Sequence, residues 1–265
     1  MPYSEGGVDQ LYKVLYLLES KRIALADTYL SYPFAHPRAA EHASHGFGRR
    51  ISLLATAARK VFEFLPPESV EIPSDQTRNS AELSLQAFIL NVFGGIDNLA
   101  WVWFYETRLC DVTPRIRDVQ VGLGPRCVRL RQSFGSDFQT YLEGLNDWFE
   151  GMQGYRHALA HRIPLYIPPY TVPDRNRAAY DEVTQKIWTA KRERNHHEME
   201  RLRAKQMSLA TFSPIMMHSF EENATPIFFH SQLLADFLTV EEIAQKMLAE
   251  LKGRAAELLA GDRKQ

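Results

Sequence analysis

The residues in this chain best suited to chemistry are Arg156, His157 and His161, which fall within the run from Gly154 to His161. Apolar residues lead up to them at helical spacing through Phe138, Leu142, Leu145, Phe149 and Met152, and Arg156 and Leu159 continue the same line. A guanidinium is costly to bury alone, so an arginine on such a line reaches solvent, pairs with an acid or holds an anion. His161 lies five residues further on, about 7.5 Å along a helix axis. Pro164, Pro168 and Pro169 then stop the helix. The three residues are expected in the last turns of an amphipathic helix, close to an end that a ligand can reach.

Two readings follow from the residues alone. His157 and His161 are four apart and can face one metal ion, but Ala158, Leu159 and Ala160 supply no acid and no third ligand follows nearby, so neither a metal nor another cofactor is expected. In the other reading both histidines interact with the negative end of the helix dipole, and Arg156 pairs with Asp97 or another acid.

Several elements must position this run. One helix is expected from about 9 to 32, ended by Pro33, and a second from about 37 to 65, weakened at Gly46 and Gly48 and closed by Pro66 and Pro67. A third should start at Asn79, where Glu82 completes a capping box, and run to about Leu109. It is apolar nearly all round, which marks an enclosed helix. Its exception is a stripe of Asn91, Gly94, Gly95 and Asn98 with Asp97 beside it, and the two glycines imply that something packs very close to the backbone. The pattern weakens between Cys110 and Phe134 into a connection with a short strand near 119–125. Ser136 with Gln139 then opens the helix that ends at the motif. Beyond it the sequence predicts one long charged helix over 174–207, a hairpin from 210–220 and 224–229 separated by Glu221, Glu222 and Asn223, and a last helix opened by Thr239 and Glu242.

With 265 residues, 45% of them hydrophobic, the chain has ample material for a core. Lys and Arg (31) nearly balance Asp and Glu (32), which argues against indiscriminate coating of nucleic acid but allows a local arginine site. Cys110 and Cys127 form neither a disulfide framework nor a metal spacing and suit free thiols in a cytoplasmic protein. The N-terminal residues lack the pattern of a secretory signal. The apolar run 87–104 is interrupted by Asn91, Asp97 and Asn98, so no membrane span is expected.

The motif has an arginine, a polar residue, three further positions and a histidine near the end of a bundle helix. In this it resembles the signature of the HEPN superfamily, helical bundles found in prokaryotic toxins, antiviral defence effectors and many uncharacterised proteins. The resemblance covers about 79–164. It implies a mainly α, HEPN-like antiparallel helical bundle with extra terminal helices and a small β-hairpin near the C-terminus. The expected organisation is a single domain over 1–265, with elaborations at 1–67 and 174–260. It further implies a homodimer in which the motif helices meet to form a metal-independent ribonuclease site, RNA as substrate, and a cognate antitoxin or neighbouring regulatory protein as partner.

Arg156 and His161 are then the catalytic residues, with His157, Asn98 and Asp97 supporting them. Histidine suits both the base that takes the 2′-hydroxyl proton and the acid that protonates the departing 5′-oxygen. The alternative is a non-catalytic dimerisation or anion- and RNA-binding module. The same loose spacing occurs at Arg38 with His45, beside a proline at a helix start, and at Arg192 with His197, in the charged run. Ile163 stands where some nuclease members carry a tyrosine.

Overall fold

Serine caps and prolines set the first helices. In the computed structural model, which describes residues 3–112, 116–218 and 225–262, with side chains as far as Arg254, α1 (Glu5–Ser31) begins where Ser4 Oγ accepts the Gly7 amide at 3.2 Å. It buries Leu11, Leu15, Leu18, Leu25 and Tyr29 and ends just before Pro33. Next come α2 (Pro37–Glu41) and α3 (Gly48–Phe64), joined through a π-helical turn at His42–Phe47. The weakness expected at Gly46 and Gly48 is therefore a local widening of a continuous helical segment, a feature often found at functional sites.

The 32-residue α4 (Asp75–Glu106) is the centre of the molecule. Ser74 caps it, with Oγ accepting the Thr77 amide at 3.1 Å, so the helix starts one turn before Asn79. Glu82 closes no capping box there and instead accepts the Ile167 amide at 2.8 Å, tying α4 to the segment behind the motif. Helix α4 is long and apolar enough to cross a membrane by length and composition, yet 56% of that stretch is buried in the bundle. The last helix, α10 (Phe229–Asp262), starts ten residues before Thr239, whose hydroxyl merely bonds Ala235 O inside it. Both terminal helices belong to the bundle: Tyr29 donates to Ala244 O at 2.8 Å, and Lys21 pairs with Glu241 at 2.8 Å.

The motif helix is not continuous from Ser136. It divides into α6 (Ser136–Gly144) and α7 (Asn146–His161), preceded by the short α5 (Val128–Arg131). Gly135 caps α6, and Gln139 bonds Phe134 O rather than forming a box with Ser136. Buried Arg131 holds the break together, donating to Leu123 O at 2.7 Å, Asn146 Oδ1 at 2.7 Å and Leu142 O at 3.1 Å. Leu142 O, at the end of α6, accepts both this guanidinium and the Leu145 amide, the latter at 3.2 Å.

The expected strand near 119–125 is absent among the described residues, where a 3₁₀ turn covers Asp118–Gln120. The charged run is a hairpin of α8 (Asp174–Arg192) and α9 (His196–Ser208), reversed at Arg194 with φ 57° and capped by Asn195 Oδ1 on the Glu198 amide at 3.1 Å. Val183, Ala190 and Leu202 form its own small core, separate from that of the bundle. The β-hairpin near the C-terminus is present but tiny, β1 (Ile215–Met216) antiparallel to β2 (Ile227–Phe228), and the linking Glu221, Glu222 and Asn223 lie outside the described residues.

Candidate active site

Helix α7 is pinned on two sides. Phe149, Met152 and Ala158 are buried, and the Trp148 indole donates to Asp236 Oδ1 of α10 at 2.8 Å. With that face committed, Arg156, His157 and His161 are exposed. The arginine that interrupts the apolar line thus resolves by reaching solvent, its guanidinium lying 5.0 Å from the centroid of the Phe93 ring on α4. The His157 and His161 rings meet at 5.1 Å between centroids, tilted 63°.

Neither a hydrogen bond nor an ion pair engages these three side chains among the described residues. No third His, Cys, Asp or Glu joins the histidine pair among those residues either. At about 100° per residue the two histidines stand about 40° apart around the helix, whereas Arg156 and His161 stand about 140° apart. A single chain therefore presents a histidine pair and, on the adjoining face, an arginine.

The two supporting residues part company. Asp97 shares a groove with Arg156. Burial raises its pKa, and the charges of Arg50 and Arg156 and the Trp101 indole oppose that rise. No ion pair joins Asp97 to Arg156 among the described residues, so the arginine's charge acts on the acid through its field. Asn98 turns the other way and does not serve the motif: its Oδ1 accepts from Arg50 Nε at 3.0 Å and its Nδ2 meets His42 Nδ1 at 3.2 Å.

Arg50 also donates to Asn91 Oδ1 at 3.2 Å. It is the group that lies against the glycines, since a Cβ on Gly94 would stand 2.3 Å from its Cζ. The stripe on α4 signalled a close approach in the sequence, but nothing local identified an arginine 44 residues upstream as its cause. His42 stacks on Trp101 and Tyr105, and burial, then the charge of Arg38, lowers its pKa.

The groove beside Arg156 has a volume of about 590 Å³, within the range of ligand sites. Phe93 and Trp148, unremarked in the sequence, line it together with Asp97 and the loop of Gly122 and Gly124. Alongside it, Leu83, Ala87 and Leu90 make an exposed apolar stripe on α4, Leu83 at 70% and Leu90 at 45% exposure. By helical angle this stripe runs between the Asn91 and Asn98 side, which faces Arg50, and the Gln86 and Phe93 side, which faces the motif segment.

The other two arginine and histidine pairs are differently placed. Arg38 lies over the Tyr105 ring at 4.7 Å, while His45 bonds Arg49 at 3.2 Å. Arg192 and His197 sit on opposite sides of the α8–α9 turn. Comparison with protein-family models, with curated proteins and with solved structures gives no match for this chain.

Proposed function

We propose that the protein is a metal-independent endoribonuclease of HEPN type, acting as a homodimer whose site forms where two copies of α7 meet. The observation that carries this reading is the exposure of Arg156, His157 and His161 together on the last turns of α7, unpaired with any acid among the described residues, whereas Arg50 and Arg131, which the fold encloses in part or whole, are spent on internal acceptors. Arg50 and Arg131 are each held by two or three acceptors. Three cationic or ionisable side chains left unengaged at one helix end suit an anionic ligand.

The divergence of Arg156 and His161 around α7 favours a two-fold arrangement, because a second copy facing the first sets the arginine of one chain towards the histidines of the other. The exposed stripe of Leu83, Ala87 and Leu90 gives such a dimer an apolar surface to bury next to the motif.

In the reaction one His161 takes the proton of a ribose 2′-hydroxyl. The 2′-oxygen attacks the adjacent phosphorus, and the bond from phosphorus to the 5′-oxygen breaks. The partner's copy of the same histidine, as imidazolium, protonates the departing 5′-oxygen, leaving a 2′,3′-cyclic phosphate and a 5′-hydroxyl. The forked donors of Arg156 stabilise the additional negative charge of the pentacoordinate transition state, and His157 positions the phosphate.

The test is purified protein with end-labelled RNA in excess chelator. Cleavage with cyclic-phosphate ends is expected for the native chain, falling by about 100-fold or more in Arg156→Ala and in His161→Ala with the helical circular dichroism unchanged. Cleavage that survives both substitutions removes the site. Retained RNA binding without cleavage favours the non-catalytic module.

A further inference from the structure

We infer that the groove beside Arg156 is a nucleobase subsite selective for guanine, in which the Asp97 carboxylate reads the base edge and the Phe93 and Trp148 rings offer apolar faces. This rests on the ribonuclease reading for its substrate class, a single-stranded RNA whose bases are free to splay out.

Three features of the groove lead there. It is large enough for a small ligand and has aromatic walls, and single-stranded RNA is recognised by stacking unpaired bases on such rings. It opens beside Arg156, the residue assigned to the phosphate, so a base lying in it belongs to a nucleotide next to the scissile linkage. Two acids line it, Asp97 and Asp118, and Asp97 stands on α4 one turn from Phe93, on the same wall as that ring and in the groove that Arg156 also lines.

An ionised carboxylate only accepts hydrogen bonds. Guanine alone presents two adjacent N–H donors, N1–H and the 2-amino group, spaced for the two oxygens of a carboxylate. Adenine and cytosine place a bare ring nitrogen beside their amino group, and uracil flanks its one N–H with carbonyls. Each of these sets a lone pair against an Asp97 oxygen, and an acceptor facing an acceptor in a sheltered groove is strongly disfavoured. The groove's volume of about 590 Å³ leaves room for a base, and Gly124, which lines it, carries no side chain and would meet no atom within 4 Å if given one.

The experiment is a titration of the full chain with guanosine, adenosine, cytidine and uridine, read by calorimetry, with no phosphate and no cleavage involved. Guanosine should bind at least about tenfold more tightly than the others. Asp97→Asn, whose amide offers one donor and one acceptor, should lose that margin and shift preference towards adenosine, a change of order that misfolding does not produce. Gly124→Leu, which fills open space in a loop, should abolish nucleoside binding while leaving the circular dichroism intact.

Equal binding of the four nucleosides, or none, overturns the inference whether or not RNA is cut. So does guanosine selectivity that Asp97→Asn and Gly124→Leu leave unaltered. Guanosine selectivity lost in these variants, in a protein that cuts no RNA, upholds the subsite and counts against the ribonuclease reading. RNA cleavage without nucleoside selectivity does the reverse.

Discussion

Replacing Asp236 with asparagine should stabilise the protein at pH 8 and leave it unchanged at pH 4. Asp236 Oδ1 accepts both the Trp148 indole and the Gln232 amide at 2.8 Å, two bonds that an asparagine oxygen can also accept. Burial pushes its pKa up to about 6 despite those two donors. An unfolded chain ionises the same group near 3.9, and the interval, at 1.36 kcal/mol per pKa unit, corresponds to about 3 kcal/mol. The sign follows from the direction. Because the folded pKa is raised, the contribution is fully favourable below about pH 4 and is lost as pH rises through about 6.

His230 works in the opposite sense. Its Nε2–H donates to Leu65 O at 2.6 Å, its Nδ1 is buried without a partner, and burial lowers its pKa to about 4. Its contribution is present above about pH 6.5 and is lost as pH falls through about 4. In the native chain the two dependences nearly cancel between pH 4 and 6. Urea denaturation at unit pH steps, with m constant, should therefore show Asp236→Asn gaining about 2–3 kcal/mol over the native chain at pH 8 and nothing at pH 4, with a steeper acid decline of its own from His230. Carboxylates common to both proteins drop out of the difference. A gap that stays flat across this range would refute the argument that burial governs Asp236.

Two further substitutions probe how the site is held. Arg131→Met should lose about 1–3 kcal/mol in the same denaturation assay, since it leaves the buried Leu123 carbonyl without its donor and takes one of two donors from Leu142 O, while relieving the burial of a guanidinium. A loss under about 0.5 kcal/mol would show that the α6–α7 break needs no such brace. Gly94→Ala would ordinarily strengthen a helix by about 1 kcal/mol, but the new Cβ displaces the Arg50 guanidinium and costs it its bonds to Asn91 and Asn98, so the change should lower the melting temperature. In an Arg50→Ala background the same change should raise it, and a rise in the native background would count against the packing described.

What could be read from the sequence divides by range. Pro33, the pair Pro66 and Pro67, and Pro164 end helices by local sterics, and those ends stand where expected. Asn79, Ser136 and Thr239 have capping-box spacing, yet the caps are Ser74 and Gly135 while Thr239 lies mid-helix, because many exposed positions share that spacing and tertiary contacts choose among them. The break after Gly144 has no proline to announce it and depends on Arg131, a side chain from another element. At the site, the nearness of His157 and His161 follows from four-residue spacing and was legible, as was a close approach at Gly94. That Asn98 belongs to Arg50 and His42 was not, for both partners lie more than 45 residues away.

The chain departs from the bundle at Thr171 and rejoins it at Thr211, where the two threonines exchange backbone hydrogen bonds of 2.7 and 2.9 Å. That clasp closes the base of the α8–α9 hairpin. Because α8 and α9 satisfy their apolar residues against each other, with Tyr170 joined to Tyr180 and Asn176 to Leu209 O at the base, the hairpin can come apart and re-form as a unit while α4 and α7 keep their seats. Nicks, insertions and changes of charge at its far tip are thereby uncoupled from the groove and from the helix end where Arg156 and His161 stand.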